Sequence, residues 1–140
     1  MAHLRNLAAR LGIADRVTFL GAVDHERLPY FYSAADVCVV PSYYESFGLV
    51  AVESMACGTP VVASRVGGLA STILDGETGY LISWRCPEPF AERLELLLDN
   101  EELRASFGRA AREAVERFRW ANVGDAVSAL YESVLAGAPA

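Results

Sequence analysis

The middle of the chain fixes its fold class. A short apolar run, Val37-Cys-Val-Val40, passes through Pro41 and Ser42 into a loop at Glu45. A helical run from Phe47 to Ala56 follows and stops at Gly58-Thr59-Pro60, where another short apolar run, Pro60-Val-Val-Ala63, begins. Short apolar runs bounded by turn residues read as buried strands. Strand and helix alternate through this half, which predicts an α/β domain built on a parallel sheet. Two further runs extend the pattern, Val17-Thr-Phe-Leu20 ending at Gly21, and Thr78 to Ser83 after the Asp75-Gly76 turn. The sheet is therefore expected to have about four strands.

Helices fill the intervals. Leu4 to Leu11 has helical spacing and stops at Gly12. Leu28, Phe31, Tyr32 and Ala35 form a second stripe, with Asp24 as its expected cap and Pro29 early in the segment, where proline is tolerated. Gly67-Gly68 opens a short helix, or a turn, ending near Leu74. From about residue 87 to residue 136 the texture is helical throughout, with Leu103, Phe107, Ala110, Ala114 and Phe118 on one stripe and a last helix starting at Trp120. Trp84 and Trp120 are expected to pack this tail against the sheet.

Composition excludes several classes. A chain of 140 residues with 53% hydrophobic and 21% charged content is a single folded domain, not a disordered one. No apolar run reaches membrane-spanning length, and no secretory leader is visible. The net charge of -6 argues against nucleic acid and anionic membranes as main partners. Cys38, Cys57 and Cys86 lack paired spacing, and Cys38 and Cys57 sit in apolar runs as small hydrophobes. That usage fits a reducing, cytoplasmic setting and indicates neither a disulfide framework nor a metal site.

The chemistry lies in Glu45-Ser-Phe-Gly-Leu-Val-Ala-Val-Glu53. One acid falls in the loop at a strand's carboxyl end and the other about two turns into the next helix, in the crevice where open parallel sheets bind ligands. Free backbone amides at Phe47, Gly48 and Leu49 can hold an anion there, assisted by the helix dipole. Ionised carboxylates only accept hydrogen bonds, so Glu45 and Glu53 suit hydroxyls and not phosphates. A ligand with hydroxyls at both ends and phosphates between them is a nucleotide-sugar. The competing readings are a surface loop acid for Glu45, a solvated helix acid for Glu53, and core packing for the Leu49, Val50 and Val52 side chains.

Glu45-x7-Glu53, preceded by Pro41-Ser42 and followed by Met55-Ala-Cys-Gly-Thr-Pro-Val-Val-Ala63, Val66-Gly67-Gly68, Asp75-Gly-Glu-Thr-Gly-Tyr-Leu81 and Arg117-Phe-Arg-Trp120, resembles the donor-binding half of the family 4 retaining glycosyltransferases. The resemblance covers nearly the whole chain and implies a Rossmann-like carboxyl-terminal domain of the GT-B fold, with strand order 3-2-1-4-5-6. It implies transfer of a hexose from a UDP-, GDP- or ADP-linked donor to a hydroxyl acceptor, with retention and without a bound metal or other cofactor. It places Glu53 on the ribose, Glu45 with Phe47 and Gly48 on the donor sugar, the Leu49 and Val50 amides on the diphosphate, and Leu20-Gly21 near the base. Ser46 stands where the family often has glycine. No residue here is assigned as catalytic. His3 and His25 lack any surrounding motif, and Arg65 is as well read as a surface residue.

The resemblance also implies that the domain's first two strands and the family's basic pair on the diphosphate have no counterpart; no lysine occurs, and the basic side chains are arginines apart from the two histidines. The expectation is a partial domain in which Val17–Leu20 pairs directly with Val37–Val40, or in which a second copy fills the gap. The alternatives are a donor-binding module completed by a separate acceptor-domain chain, and a non-functional remnant. A nucleotide-sugar epimerase of the same fold needs carboxylates and histidines that are not found.

Overall fold

A computed structural model describes residues 1–83 and 86–137. Its centre is a parallel sheet of three strands in the order β1-β2-β3. These are β1 (Cys38–Val40), β2 (Val61–Ser64) and β3 (Gly79–Ile82), in register Val39 with Val62 and Val62 with Tyr80. The α/β class with a helical tail is as the sequence predicts, but the strand count is not. Among the described residues Val17–Leu20 joins no ladder. Its backbone is extended at Val17 (φ -114°, ψ 118°), yet Leu20 is exposed and Phe19 sits under the Arg5 guanidinium, 5.0 Å from its ring centre. An apolar run sets a local conformation; a strand also needs a neighbour to bond to. Among the described residues β1 pairs only with β2, so the direct pairing of Val17–Leu20 with β1 does not form.

Helices cover both faces of the sheet, which is why its strands are continuously apolar. On one face Val61, Ala63 and Leu81 pack with Ala51 and Met55 of α3 (Leu49–Ala56), Leu69 of α4 (Leu69–Thr72), and Ala111 and Val115 of α6 (Glu101–Val115). On the other, Val62 and Ile82 pack with Leu97 of α5 (Pro87–Asp99) and with Phe107 of α6, whose ring lies 5.2 Å from that of Tyr80. The α6 stripe is rotated slightly from the expected one: Phe107, Gly108, Ala111 and Val115 are buried, while Leu103, Ala114 and Phe118 flank them.

The remaining helices are peripheral. α1 (Ala2–Arg10) buries only Ala8. Asp24 makes no side-chain cap; it precedes a 3-10 turn, His25–Arg27, and α2 (Leu28–Ala34) starts only after it, with Pro29 in its first turn. α7 (Trp120–Leu135) buries no residue, and Trp120 is 89% exposed, so it does not pack the tail on the sheet as expected. The matching expectation for Trp84 lies outside the described residues.

The ends of α3 matter most for the site. Its carboxyl end closes with two reverse bonds, Gly58 N to Met55 O (2.9 Å) and Thr59 N to Ser54 O (3.0 Å), while Gly58 adopts φ 80°. This is a Schellman closure, which explains the stop at Gly58-Thr59-Pro60. Arg112 of α6 donates to the last carbonyls, Ala56 O (3.2 Å) and Cys57 O (3.1 Å).

Candidate donor site

At its amino end α3 begins at Leu49, not at Phe47. Gly48 takes φ 92°, a left-handed conformation that only glycine adopts readily, and breaks the helix there. A Cβ at Gly48 would lie 2.8 Å from Leu69 Cδ2, so the turn is also packed from behind. Ala51 N closes back on Gly48 O at 2.9 Å. The Leu49 and Val50 amides, which precede it, have no acceptor among the described residues. The Gly48 amide is different: it donates to Glu45 Oε1 at 3.2 Å. Of the amides expected to hold an anion, Leu49 and Val50 remain open among the described residues and Gly48 is engaged by the loop's own carboxylate.

The loop carrying Glu45 is held from two sides. Glu45 O accepts from Gly68 N at 2.9 Å, and Phe47 O accepts from Thr72 Oγ1 at 3.3 Å. The Phe47 ring meets Phe118 edge-on, with centroids 5.3 Å apart and an interplanar angle of 77°. The Gly67-Gly68 pair therefore acts as a close backbone contact to the Glu45 loop. The Gly68 amide is committed to it, and the following α4 is a single turn.

Glu53 lies just over one turn into α3, nearer its start than the sequence suggested. Its Oε2 accepts from the Tyr32 hydroxyl of α2 at 3.0 Å, and its other oxygen has no partner among the described residues. Burial, then the hydrogen bond and charge of Glu53, push the Tyr32 hydroxyl above the ordinary tyrosine range, so it stays a neutral donor. Beside them His25, Leu28, Pro29, Tyr32, Glu53 and Ala56 line an apolar groove of about 170 Å³. Tyr32 was absent from the sequence-derived site because it read as one apolar position on α2. The available signal was that a half-buried tyrosine needs a hydroxyl partner.

Leu49 and Val50 do not pack in the core: the two residues are 63% and 45% exposed. Val52 alone of the three packs against it. Leu20 and Gly21 occupy an exposed loop, and no hydrogen bond or ring contact ties them to α3 among the described residues. Arg65 is committed to Asp75, whose Oδ1 also accepts from Leu81 N at 3.0 Å. Cys38 and Cys57 are half-buried and Cys86 is exposed, all as free thiols. Among the described residues no helix is long and apolar enough to cross a membrane.

Residues 2–114 match the family model described as glycosyl transferases group 1. The chain belongs to that family. It is 51% identical over 129 residues to D-inositol 3-phosphate glycosyltransferase 2 of Catenulispora acidiphila, covering 92% of this chain and 30% of that protein. Among solved structures, sucrose-phosphate synthase from Thermosynechococcus elongatus superposes with a TM-score of 0.88 at 43% identity, over 98% of this chain and 35% of that one. HepE of Anabaena, solved in complex with UDP, superposes with a TM-score of 0.85 at 29% identity, over 94% of this chain and 36% of its own. The chain thus spans about 30% of the length of the curated relatives it matches. The parallel sheet, flanking helices and helical tail are shared with these structures.

Proposed function

We propose that this group 1 chain forms the donor-binding part of a retaining hexosyltransferase and takes a nucleotide-diphosphate sugar along α3. The observation that carries the reading is the open pair of amides at Leu49 and Val50, with the Glu53 carboxylate one turn deeper on the same helix. In this reading the amides and the helix dipole hold the diphosphate and stabilise it as it leaves. Glu53 accepts from the ribose hydroxyls. Glu45, Phe47 and Gly48 face the donor sugar, with Glu45 also fixing the loop through its bond to Gly48 N. Leu20 and Gly21 lie toward the base. No cofactor is required. The HepE complex with UDP supports a uridine donor as the first to try.

The acceptor is held, in this account, by residues outside these 140, in one polypeptide or in a separate acceptor-domain chain. The outer edge of β1, unpaired among the described residues and carrying Val39 at 41% exposure, favours an association of this kind, or pairing with a second copy. In this reading the chain by itself binds the donor without transferring its sugar, since the acceptor is held elsewhere. Calorimetric titration with UDP, GDP, ADP and their common sugars tests the reading. Saturable binding that is lost in Glu53→Ala supports it. A folded chain that binds none of them, or an alanine variant that binds as well as the original, refutes it.

A further inference from the structure

The Tyr32 hydroxyl closes a circuit that leaves α3 and returns to it one residue away. Ser54 Oγ donates to Thr59 O at 3.1 Å, Thr59 Oγ1 donates to Tyr32 O at 2.7 Å, and the Tyr32 hydroxyl donates to Glu53 Oε2 at 3.0 Å. Ser54 and Thr59 are buried, and Thr59 is further locked by the Schellman closure of α3, so the backbone that presents Tyr32 is anchored to the same helix as its target. A glutamate on a helix surface otherwise samples many rotamers, and ordering it on binding costs affinity. Here one oxygen is fixed and the other left open. The partner donates a single hydrogen bond to Oε2, so the second oxygen keeps its capacity to accept.

We propose that Tyr32 is a positioning residue: by holding Glu53 Oε2 it aims Oε1 at the vicinal hydroxyls of a nucleoside diphosphate's ribose. This rests on the ribose reading of Glu53 given above. Its distinctive consequence is that Tyr32 affects recognition of the diol and nothing else about the nucleotide. A role confined to packing α2 on α3 would weaken every nucleotide alike.

The test compares UDP with its 2′,3′-dideoxy form, and likewise for GDP and ADP, on the chain, Tyr32→Phe, Glu53→Gln and the double variant. The unaltered chain should prefer the ribose form. Tyr32→Phe should lower affinity for that form about fivefold, the size of one lost hydrogen bond, and leave the dideoxy form unchanged. In the Glu53→Gln background it should change neither. Equal losses on both forms, no loss at all, or an undiminished loss in the Glu53→Gln background would each overturn the positioning role. If the unaltered chain binds the two forms equally, or neither, the ribose reading of Glu53 itself fails and this inference with it. A melting scan checks folding; should Tyr32→Phe melt below the titration temperature, Tyr32→Met provides the same comparison.

Discussion

The carbonyl of Glu45 and the amide of Gly68 are joined at 2.9 Å, and the residue before Gly68 is pressed against the same carbonyl: a Cβ on Gly67 would lie 1.8 Å from Glu45 O. Gly67 also has φ 45°. Gly67→Ala must therefore move the Glu45 loop while forcing a left-handed alanine. We expect a loss of about 2–4 kcal/mol of stability, read by urea denaturation, with donor affinity falling as well. Ala70→Gly, on an exposed position of the adjoining α4, serves as the control for a glycine-alanine exchange that touches no such contact.

Phe118 meets the donor-site loop at Phe47, the edge-on ring that braces the loop before α3. Phe118→Leu keeps apolar bulk and removes the ring pair, which is worth roughly 0.5–1.5 kcal/mol beyond its area. The expected outcome is a small drop in melting temperature together with weaker binding of the donor's sugar end. Affinity for UDP-glucose should fall more than affinity for UDP. Equal changes for the two would show that Phe118 supports the fold and not the loop.

α6 crosses the end of α3 so closely that a Cβ on Gly108 would lie 2.2 Å from Gly58 O. Gly108→Ala should push the helices apart, at a cost of about 1–3 kcal/mol typical of overpacking. Arg112→Ala, which removes the two bonds to Ala56 O and Cys57 O, should cost about 1 kcal/mol, since solvent reaches those carbonyls once the side chain is gone. Denaturation midpoints of the two variants check the order, with Gly108→Ala the more damaging.

Alkaline pH should destabilise the domain before acid chemistry at these residues matters. Burial, followed by Glu53, raises the folded-state pKa of Tyr32, and burial raises that of Cys38 against an opposing Ser54 hydrogen bond. Both groups therefore hold their protons more tightly folded than unfolded. Their contribution is fully present below the unfolded values, near ~8.5 for cysteine and ~10 for tyrosine, and is lost as pH rises through the folded ones. Denaturation at pH 7, 9 and 10.5 should show stability falling across the upper interval. Tyr32→Phe should flatten the part above about pH 10. A variant as steep as the original would remove Tyr32 as the source.

What was legible in the sequence was local. Val37–Val40 and Thr78–Ser83 contain β1 and β3, Pro60–Ala63 covers β2 but for its last residue, Ser64, and Gly58 and Gly76 mark the turns they form. The spacing of Glu45 and Glu53 put one acid in a loop and one on the following helix, as found. What escaped depends on partners distant in sequence. Val17–Leu20 carries a strand's composition but finds no strand beside it. Gly48 read as a free amide for an anion, and its left-handed turn, which delays α3 to Leu49, packs against Leu69, 21 positions on. Tyr32 meets Glu53 across 21 positions, and periodicity sees only that a tyrosine occupies an apolar stripe.

The most direct measurement is an amide-resolved NMR titration of the ¹⁵N-labelled chain with UDP, then GDP and ADP. The account expects the largest shifts at the Leu49 and Val50 amides, with smaller ones at Glu53 and at the Glu45 loop, and their loss in Glu53→Ala. Shifts centred instead on the hollow lined by Pro41, Ser64, Cys86 and Phe90, or no saturable shift at α3 with any of the three, would contradict it.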